Sequence, residues 1–219
     1  GKITVLKLDQ ETGAVGTITD EVYHKGLGSI AERSFRPHIS CVKMTRDNKY
    51  LCAADLGIDY VNVYRLDHDK GTLKAVDIIR CELETAPRHL KFSIDGKYMY
   101  VIGEMKNCID VYAYTEVDGL PYFDQIQSIS TTEIVEAQGV AASALMISED
   151  GKYIVASNAG ENSVSLFEID SEEGKLTRRF CLPISGEYPK DACLFPDNRH
   201  LVSLNHESNT MTFFRVDME

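Results

Sequence analysis

The feature that most constrains the fold is a short polar turn that occurs four times along the chain. Each copy begins with an aspartate (Asp47, Asp95, Asp150 or Asp197), which is followed by Gly or Asn and then by Lys or Arg. The spacings between the copies are 48, 55 and 47 residues. Alternating apolar and polar residues flank every turn, a pattern typical of β-strands joined by tight hairpins. A repeat of about 50 residues with several short strands predicts a β-propeller.

The repeats predict an all-β chain built of four-stranded antiparallel blades, with no linker between them. We expect a partial ring of a little over four blades, with these limits: 1–25 for the last two strands of an incomplete blade, 37–83, 87–129 and 142–183 for complete blades, and 189–217 for three strands of the closing blade. Open β edges invite pairing. We therefore expect an absent N-terminal part or another chain to supply the missing blades. In the alternative, a closed ring of four blades, residues 1–25 have no natural place.

Composition disfavours several classes of partner. The formal net charge is −11, from 34 acidic and 23 basic residues, and no basic run occurs. Nucleic-acid binding is therefore not expected, because neutralising phosphates takes clustered Lys and Arg. No apolar stretch approaches the roughly 20 residues that span a bilayer, so no membrane partner is expected.

The six cysteines occur singly, without a CxxC pair. They are predicted to be buried, reduced thiols, which favours a cytoplasmic location. Cys41 and Cys52 fall on neighbouring predicted strands, so a disulfide between them is left open.

Blade geometry predicts where a functional site would lie. In an up-and-down blade, the first strand starts and the second strand ends at the same face of the disc, and the innermost strands line the central channel. The residues collected at this mouth are, from the first strands, His38, Arg88, Ser143 and Lys190, and from the ends of the second strands, Asp55, Glu104, Asn158 and His206. Among them we predict Asp55, Asn158, Lys190 and His206 to contact a substrate.

His38, Arg88 and Glu104 have the chemistry expected of catalytic residues. An imidazole moves protons near neutral pH. A guanidinium binds a carboxylate or phosphate through two parallel hydrogen bonds, and a carboxylate orients the Arg or acts as a base.

No cofactor is predicted. No metal is predicted either, because no His, Asp, Glu or Cys group has metal-ligand spacing, and neither a Gly-x-Ser-x-Gly elbow nor a phosphate loop occurs.

Each candidate also has a structural interpretation. His38 would cap the start of a buried strand, and Arg88 would be an ion-pair partner of Glu104 without a catalytic part. Asp55 and Asp59 flank a Gly turn, and for this acidic pair backbone hydrogen bonding is the favoured role. His89 is expected to pack inside its blade. The histidines expected at the surface are His24, His68 and His200.

One combination of motifs is much more specific than the turns. Pro37-His38 occurs with Asp55-Leu56-Gly57, and Pro87-Arg88-His89 with Glu104. On these motifs the chain resembles the seven-bladed β-propeller lactonases, a group that includes bacterial 6-phosphogluconolactonases and fungal carboxy-muconate lactonising enzymes. The resemblance covers nearly the whole chain but only about the last three-fifths of a family member. It implies a ring of the seven-bladed type, a small-molecule lactone as substrate, and an active site at His38, Arg88 and Glu104.

The chain departs from the family pattern at one position. Relatives commonly read Ser-Asn-Arg-Gly in the third complete blade, whereas this chain reads Ser157-Asn158-Ala159-Gly160. The change removes one contact to an anionic substrate, and Lys190 on the next blade is the candidate replacement.

The sequence leads to three functional hypotheses. The first is a sugar-lactone hydrolase in which water attacks the lactone carbonyl. There, His38 is favoured as the base because pairing with Arg88 would make Glu104 a weaker one. The second hypothesis is a non-catalytic scaffold that binds a small ligand or a protein at the same mouth, because propellers host many functions without chemistry. The third is an incomplete propeller without activity.

Overall fold

The structure, a computed structural model, describes residues 1–28, 36–134 and 139–217. These residues form seventeen β-strands. The strands are β1 (Lys2–Leu8), β2 (Val15–Tyr23), β3 (Ile39–Met44), β4 (Tyr50–Asp55), β5 (Tyr60–Asp67), β6 (Thr72–Arg80), β7 (Pro87–Phe92), β8 (Tyr98–Gly103), β9 (Cys108–Val117), β10 (Leu120–Ser130), β11 (Ala141–Ile147), β12 (Tyr153–Ala159), β13 (Ser163–Ile169), β14 (Leu176–Pro183), β15 (Pro189–Leu194), β16 (His200–Asn205) and β17 (Thr210–Arg215).

The strands form five antiparallel sheets in which each strand pairs with its neighbour in sequence. The first sheet is β1–β2, the second β3–β6, the third β7–β10, the fourth β11–β14 and the fifth β15–β17. The predicted all-β fold of four-stranded propeller blades in a partial ring is confirmed. Within the described residues, no helix is long and apolar enough to cross a bilayer.

The four repeated turns adopt the conformation that their sequences predict. The residue after each aspartate has a positive φ: 58° at Asn48, 77° at Gly96, 74° at Gly151 and 54° at Asn198. Gly and Asn tolerate this left-handed conformation better than other residues. The turns thus connect the first and second strands of four sheets in the same way.

The hydrophobic core lies between neighbouring sheets. Val61 and Val63 of the second sheet are completely buried, in one cluster with Leu90 and Met99 of the third sheet. A second cluster joins the third sheet to the fourth, and a third cluster joins the fourth to the fifth. Because each sheet buries its faces against the next one, a continuous series of apolar contacts holds the second to fifth sheets together.

A hydrogen-bonded side chain joins each of three sheets to the next. The residues that do this, here called the Asx links, are Asp59, Asn107 and Asn162, each in the loop before a third strand and each with a φ between 51° and 59°. Their side-chain oxygens accept hydrogen bonds from the backbone N–H groups at the start of the next inner strand. These donors are Ala86 at 2.7 Å, Ala142 at 2.9 Å and Tyr188 at 2.8 Å, respectively.

The backbone carbonyl of each Asx link holds its own sheet as well. It accepts a hydrogen bond from the residue that directly follows the outer strand: Cys81 at 3.0 Å, Thr131 at 2.8 Å and Ile184 at 2.8 Å. One residue therefore ties the end of a sheet to the start of the following inner strand. This arrangement fixes the place where the candidate site residues emerge.

The Asn107 link can be separated into its conformational and its hydrogen-bonding parts. Asn107→Gly keeps the positive φ but loses the bonds to Ala142 N–H and to the Val140 carbonyl, at an expected cost of about 1–3 kcal/mol. Asn107→Ala is expected to cost about 1 kcal/mol more, because alanine also resists the positive φ. Urea unfolding of both variants measures the two costs.

Asp118→Gly is the matched control. Asp118 has a similar φ of 52° and is exposed, so the substitution is expected to leave stability nearly unchanged. Equal stability of the two Asn107 variants would contradict the conformational part, and a glycine variant as stable as wild type would contradict the hydrogen-bonding part.

Candidate functional site

The strand register brings the predicted first-strand starts and second-strand ends to one edge of each sheet. The pairs across this edge are Ile39 with Asp55, Pro87 with Gly103, Ala142 with Asn158, and Pro189 with Asn205. Neighbouring inner strands are hydrogen-bonded to one another at the same edge, since Ser40 Oγ donates to the Pro87 carbonyl and Ser143 Oγ to the Lys190 carbonyl, both at 3.1 Å. This shared edge is called the mouth below.

Each inner strand carries a β-bulge near its start, and in three of them the bulge directly follows the first pair. The register shifts between Ile39 and Cys41, between Pro87 and His89, and between Pro189 and Asp191, and a similar shift follows Ala142. The residues in the three short bulges are Ser40, Arg88 and Lys190. A bulged residue is left out of the ladder, and such bulges commonly re-aim a side chain near a functional site. Arg88 and Lys190 thus occupy equivalent positions two sheets apart.

Arg88 and Glu104 form an ion pair at the mouth. Arg88 Nη1 donates to Glu104 Oε2, and the two side chains are 26% and 15% exposed. Glu104 follows the last residue of β8, where its own N–H donates to the Ala86 carbonyl at 3.0 Å. Arg88 Nε is buried without a hydrogen-bond partner in the described part of the chain. Because a guanidinium has five N–H donors, Arg88 retains donors for an anionic ligand while Glu104 orients it.

His38 lies at the mouth with a free imidazole. The residue is exposed, and within the described ranges its ring makes no hydrogen bond. Its backbone N–H donates to Asp55 Oδ1 at 2.6 Å, and its carbonyl accepts from Leu56 N–H at 3.0 Å. The backbone is therefore fixed on both sides, whereas the ring remains available to a ligand.

His89 is half-buried in the third sheet. Burial together with the neighbouring Arg88 charge lowers its pKa below the usual value, while Asp191, on the fifth sheet, acts in the opposite direction. The expected packing of His89 inside its blade stays a prediction. Because it directly follows Arg88 in Pro87-Arg88-His89, His89 is a further candidate for the mouth.

Two of the predicted substrate contacts lie inside the protein. Asp55 and Asn158 are both completely buried. Asn158 Nδ2 donates to the Thr131 carbonyl at 2.8 Å and to Ser163 Oγ at 2.9 Å, and Asp55 accepts the N–H groups of His38 and Gly57. This burial favours a structural role, which for Asp55 and Asp59 is the backbone hydrogen bonding that the sequence had favoured.

The other two predicted substrate contacts are exposed, and both lie close to the ring of Tyr188. Lys190 Nζ is 4.5 Å from the centroid of the Tyr188 ring, a cation–π distance. The His206 ring is 6.4 Å from the same centroid. The fifth sheet therefore adds a basic, aromatic group of side chains to the mouth.

The expected surface position of His24 is wrong. His24 directly follows β2, and its side chain is 2% exposed, with Nδ1 2.6 Å from Asp55 Oδ2. The single-residue reading of the sequence missed this because the partner lies 31 residues away. His68 and His200 are exposed, as expected.

The six cysteines are free thiols, so the disulfide left open between Cys41 and Cys52 is not formed. Burial raises the pKa of the Cys81 and Cys108 thiols to about 12 in each case, which keeps them protonated and unreactive at neutral pH. In residues 1–28, 36–134 and 139–217, no group of three or more His, Cys, Asp or Glu side chains could hold a metal ion.

Comparisons with known proteins agree with this architecture. The family model described as "Lactonase, 7-bladed beta-propeller" matches residues 1–219. A Bacillus subtilis protein named 6-phosphogluconolactonase is 29% identical over 219 residues, which is 100% of this chain and 61% of that protein.

Two solved structures are similar along almost the whole chain. The periplasmic gluconolactonase PpgL of Pseudomonas aeruginosa has a TM-score of 0.89 at 28% identity, covering 99% of this chain and 60% of that one. A Lactobacillus plantarum protein has a TM-score of 0.87 at 32% identity, covering 98% and 61%. The chain therefore spans about three-fifths of the length of these relatives. Its full-length match to the family model shows that it belongs to the seven-bladed β-propeller lactonases.

Proposed function

We propose that the protein is a sugar-lactone hydrolase that opens its substrate at the mouth. The observation that carries the proposal is the Arg88–Glu104 pair, in which a half-buried guanidinium is oriented by one carboxylate and keeps a buried, unpartnered Nε. A preorganised cation of this kind stabilises negative charge that develops in a transition state. Membership of a lactonase family supports the same chemistry.

The proposed reaction uses one histidine of the mouth. A water oxygen attacks the lactone carbonyl carbon while the imidazole accepts a water proton, and Arg88 stabilises the oxyanion or holds an anionic group of the substrate. The bond from the carbonyl carbon to the ring oxygen then breaks, and the imidazolium returns the proton to that oxygen. His38 is the first candidate for the base because its ring is exposed and free.

The proposed substrate preference is for an unphosphorylated sugar lactone. Ala159 is completely buried and stands where relatives commonly have the additional Arg. Lys190 is the candidate to supply part of that missing charge, since it occupies the same bulge position as Arg88. A phosphorylated lactone would therefore meet fewer cations than in those relatives.

The proposed location is the cytoplasm. All six cysteines are free, and unpaired thiols are the usual state in a reducing compartment. One structural relative is described as periplasmic, so secretion of a tagged chain measures this part of the proposal separately.

The first test is lactone hydrolysis by the complete protein, with 6-phosphogluconolactone and gluconolactone as substrates and the spontaneous rate subtracted. His38→Ala and Arg88→Ala are each expected to reduce the protein-dependent rate on the order of 100-fold. The matched controls are His68→Ala and Arg179→Ala, which alter an exposed turn histidine and an outer-strand arginine paired with Glu168. Both controls are expected to keep the wild-type rate.

Two results would count against the proposal. Wild-type protein without a rate above the spontaneous one on either substrate would favour the non-catalytic scaffold. A full rate in the His38 variant would shift the role of the base to His89 or Glu104.

The electrostatic coupling of His89 to Arg88 is measurable without substrate. Burial lowers the pKa of His89, and the Arg88 charge lowers it further, so Arg88→Ala is expected to raise that pKa, whereas Arg88→Lys keeps the charge and most of its effect. An NMR titration of the imidazole carbon-bound protons measures this, with Arg179→Ala as the control. An unchanged His89 pKa in Arg88→Ala would place the ring outside the mouth.

A further inference from the structure

A buried histidine–carboxylate pair lies behind the predicted catalytic histidine. His24 Nδ1 is 2.6 Å from Asp55 Oδ2, and the two side chains are 2% and 0% exposed. His24 directly follows β2 of the first sheet, and Asp55 is the last residue of β4 in the second sheet. The pair therefore joins two sheets in the interior.

The second oxygen of Asp55 holds the backbone that carries His38. Asp55 Oδ1 accepts the His38 N–H at 2.6 Å and the Gly57 N–H at 3.0 Å. Gly57 allows the loop to approach closely, because a Cβ there would lie 2.8 Å from His38 N and 2.0 Å from the Arg36 carbonyl oxygen. The position of His38 thus depends directly on the orientation of one carboxylate.

Hydrogen-bonding chemistry determines which proton His24 carries. An ionised carboxylate only accepts hydrogen bonds, so Nδ1–H donates to Asp55 at 2.6 Å, and the side-chain amide of Asn62 is the more distant neighbour of Nδ1, at 3.3 Å. Nε2 is buried without a partner among the described residues, and a second proton there would be a buried, unsatisfied donor. The neutral ring with Nδ1–H is the form that fits, and the flanking Tyr64 ring, 6.0 Å away and nearly parallel, keeps the imidazole plane fixed.

The equivalent positions of the other sheets show that this pair is a special feature. The residues that directly follow the other complete outer strands are Cys81, Thr131 and Ile184. At the mouth ends of the second strands, the third, fourth and fifth sheets have Gly103, Asn158 and Asn205 in place of Asp55. Burying a carboxylate is costly unless it is well paired. None of these three residues offers a carboxylate to the start of its inner strand, so among the described sheets the buried histidine–carboxylate pair is confined to the one that carries His38.

We infer that His24 is a positioning residue for the reaction: by donating Nδ1–H to Asp55 it fixes the carboxylate that holds the backbone of His38. The catalytic part of this inference rests on the proposed role of His38, whereas the structural part, that His24 controls the His38 backbone, does not. Removing the donor leaves Asp55 Oδ2 buried without this partner, so the carboxylate is held only through Oδ1 and the His38 backbone is less firmly positioned. A misplaced reacting group commonly costs about tenfold or more in rate.

The test compares His24→Leu with His24→Asn in the complete protein. Asparagine places an N–H donor close to the position of Nδ1, whereas leucine has a similar size and no donor. We expect kcat for lactone hydrolysis to fall about tenfold in the leucine variant with little change in KM, and to be largely restored in the asparagine variant. Thr131→Val is the matched control, because it alters the equivalent position of another sheet and keeps the carbonyl that Asn158 uses.

Hydrogen exchange of backbone amides tests the structural part without any activity. His24→Leu is expected to speed exchange at His38 and Gly57 but not at Ala86, which Asp59 holds in the same way one sheet further on. Unchanged exchange at His38 would overturn the inference, as would equal kcat in the leucine and wild-type proteins. If wild type hydrolyses no lactone but exchange at His38 rises selectively, the proposed function fails and the positioning by His24 stands.

If the leucine variant does not fold, the asparagine variant and Asp55→Asn decide the inference by the same exchange measurement. His24→Asn with wild-type protection at His38 and Asp55→Asn with faster exchange there support it. The reverse pattern overturns it.

Discussion

A hydrogen bond between a side-chain oxygen and the backbone of the next inner strand is the interaction on which the rest of the structure depends. The Asx links at Asp59, Asn107 and Asn162 each make it, with donor–acceptor distances of 2.7–2.9 Å. Hydrophobic burial between sheets is larger in total but has no direction. The links have a direction, and they fix where each inner strand starts. The candidate site is built from those starts, so its geometry follows from the contacts between sheets.

Two cationic side chains lie at the mouth of an otherwise acidic protein. Arg88 of the third sheet is paired with Glu104, and Lys190 of the fifth sheet lies over the Tyr188 ring. This end of the sheets also holds a layer of buried polar groups, such as Asn158, which bonds to Ser163 in its own sheet and to the carbonyl of Thr131 directly after the third sheet. Because the interior has a low effective dielectric, groups fixed in this layer act more strongly on the mouth than the same groups in water. The formal net charge of −11 therefore says little about the local field in which an anionic substrate would bind.

The fold was predictable from the sequence because its signal is repeated four times. The turns at Asp47, Asp95, Asp150 and Asp197 all contain a residue with positive φ after the aspartate, which only a few residue types accept. The ion pair of Arg88 with Glu104 was also foreseeable, because Arg88 lies at the start of the first strand and Glu104 just after the second strand of one hairpin, and these two points meet at the same edge. Burial was harder to predict. Asp55 and Asn158 were correctly placed at the mouth end of their strands, but side-chain direction there depends on the loops of neighbouring sheets.

His24 shows most clearly what a local reading cannot supply. Nothing within several residues of it indicates a buried, hydrogen-bonded pair, because its partner Asp55 belongs to a different sheet. Asp191, on the fifth sheet, likewise acts on the pKa of His89 in the third sheet. A pattern read within one repeat contains no information about such interactions between repeats.

The bulges at the starts of the inner strands separate two tasks within one repeat. The residue in a short bulge is left out of the strand pairing. The three bulge residues, Ser40, Arg88 and Lys190, therefore differ in side chain while the ladder beside them stays the same. A change at Arg88 or Lys190 therefore alters the mouth with little effect on strand pairing. Ser40 is less free to change, because its hydroxyl also bonds to the Pro87 carbonyl of the next sheet. A protein built on this repeat can thus change the chemistry of its mouth at the bulges while the turns, links and cores that hold the sheets together stay the same.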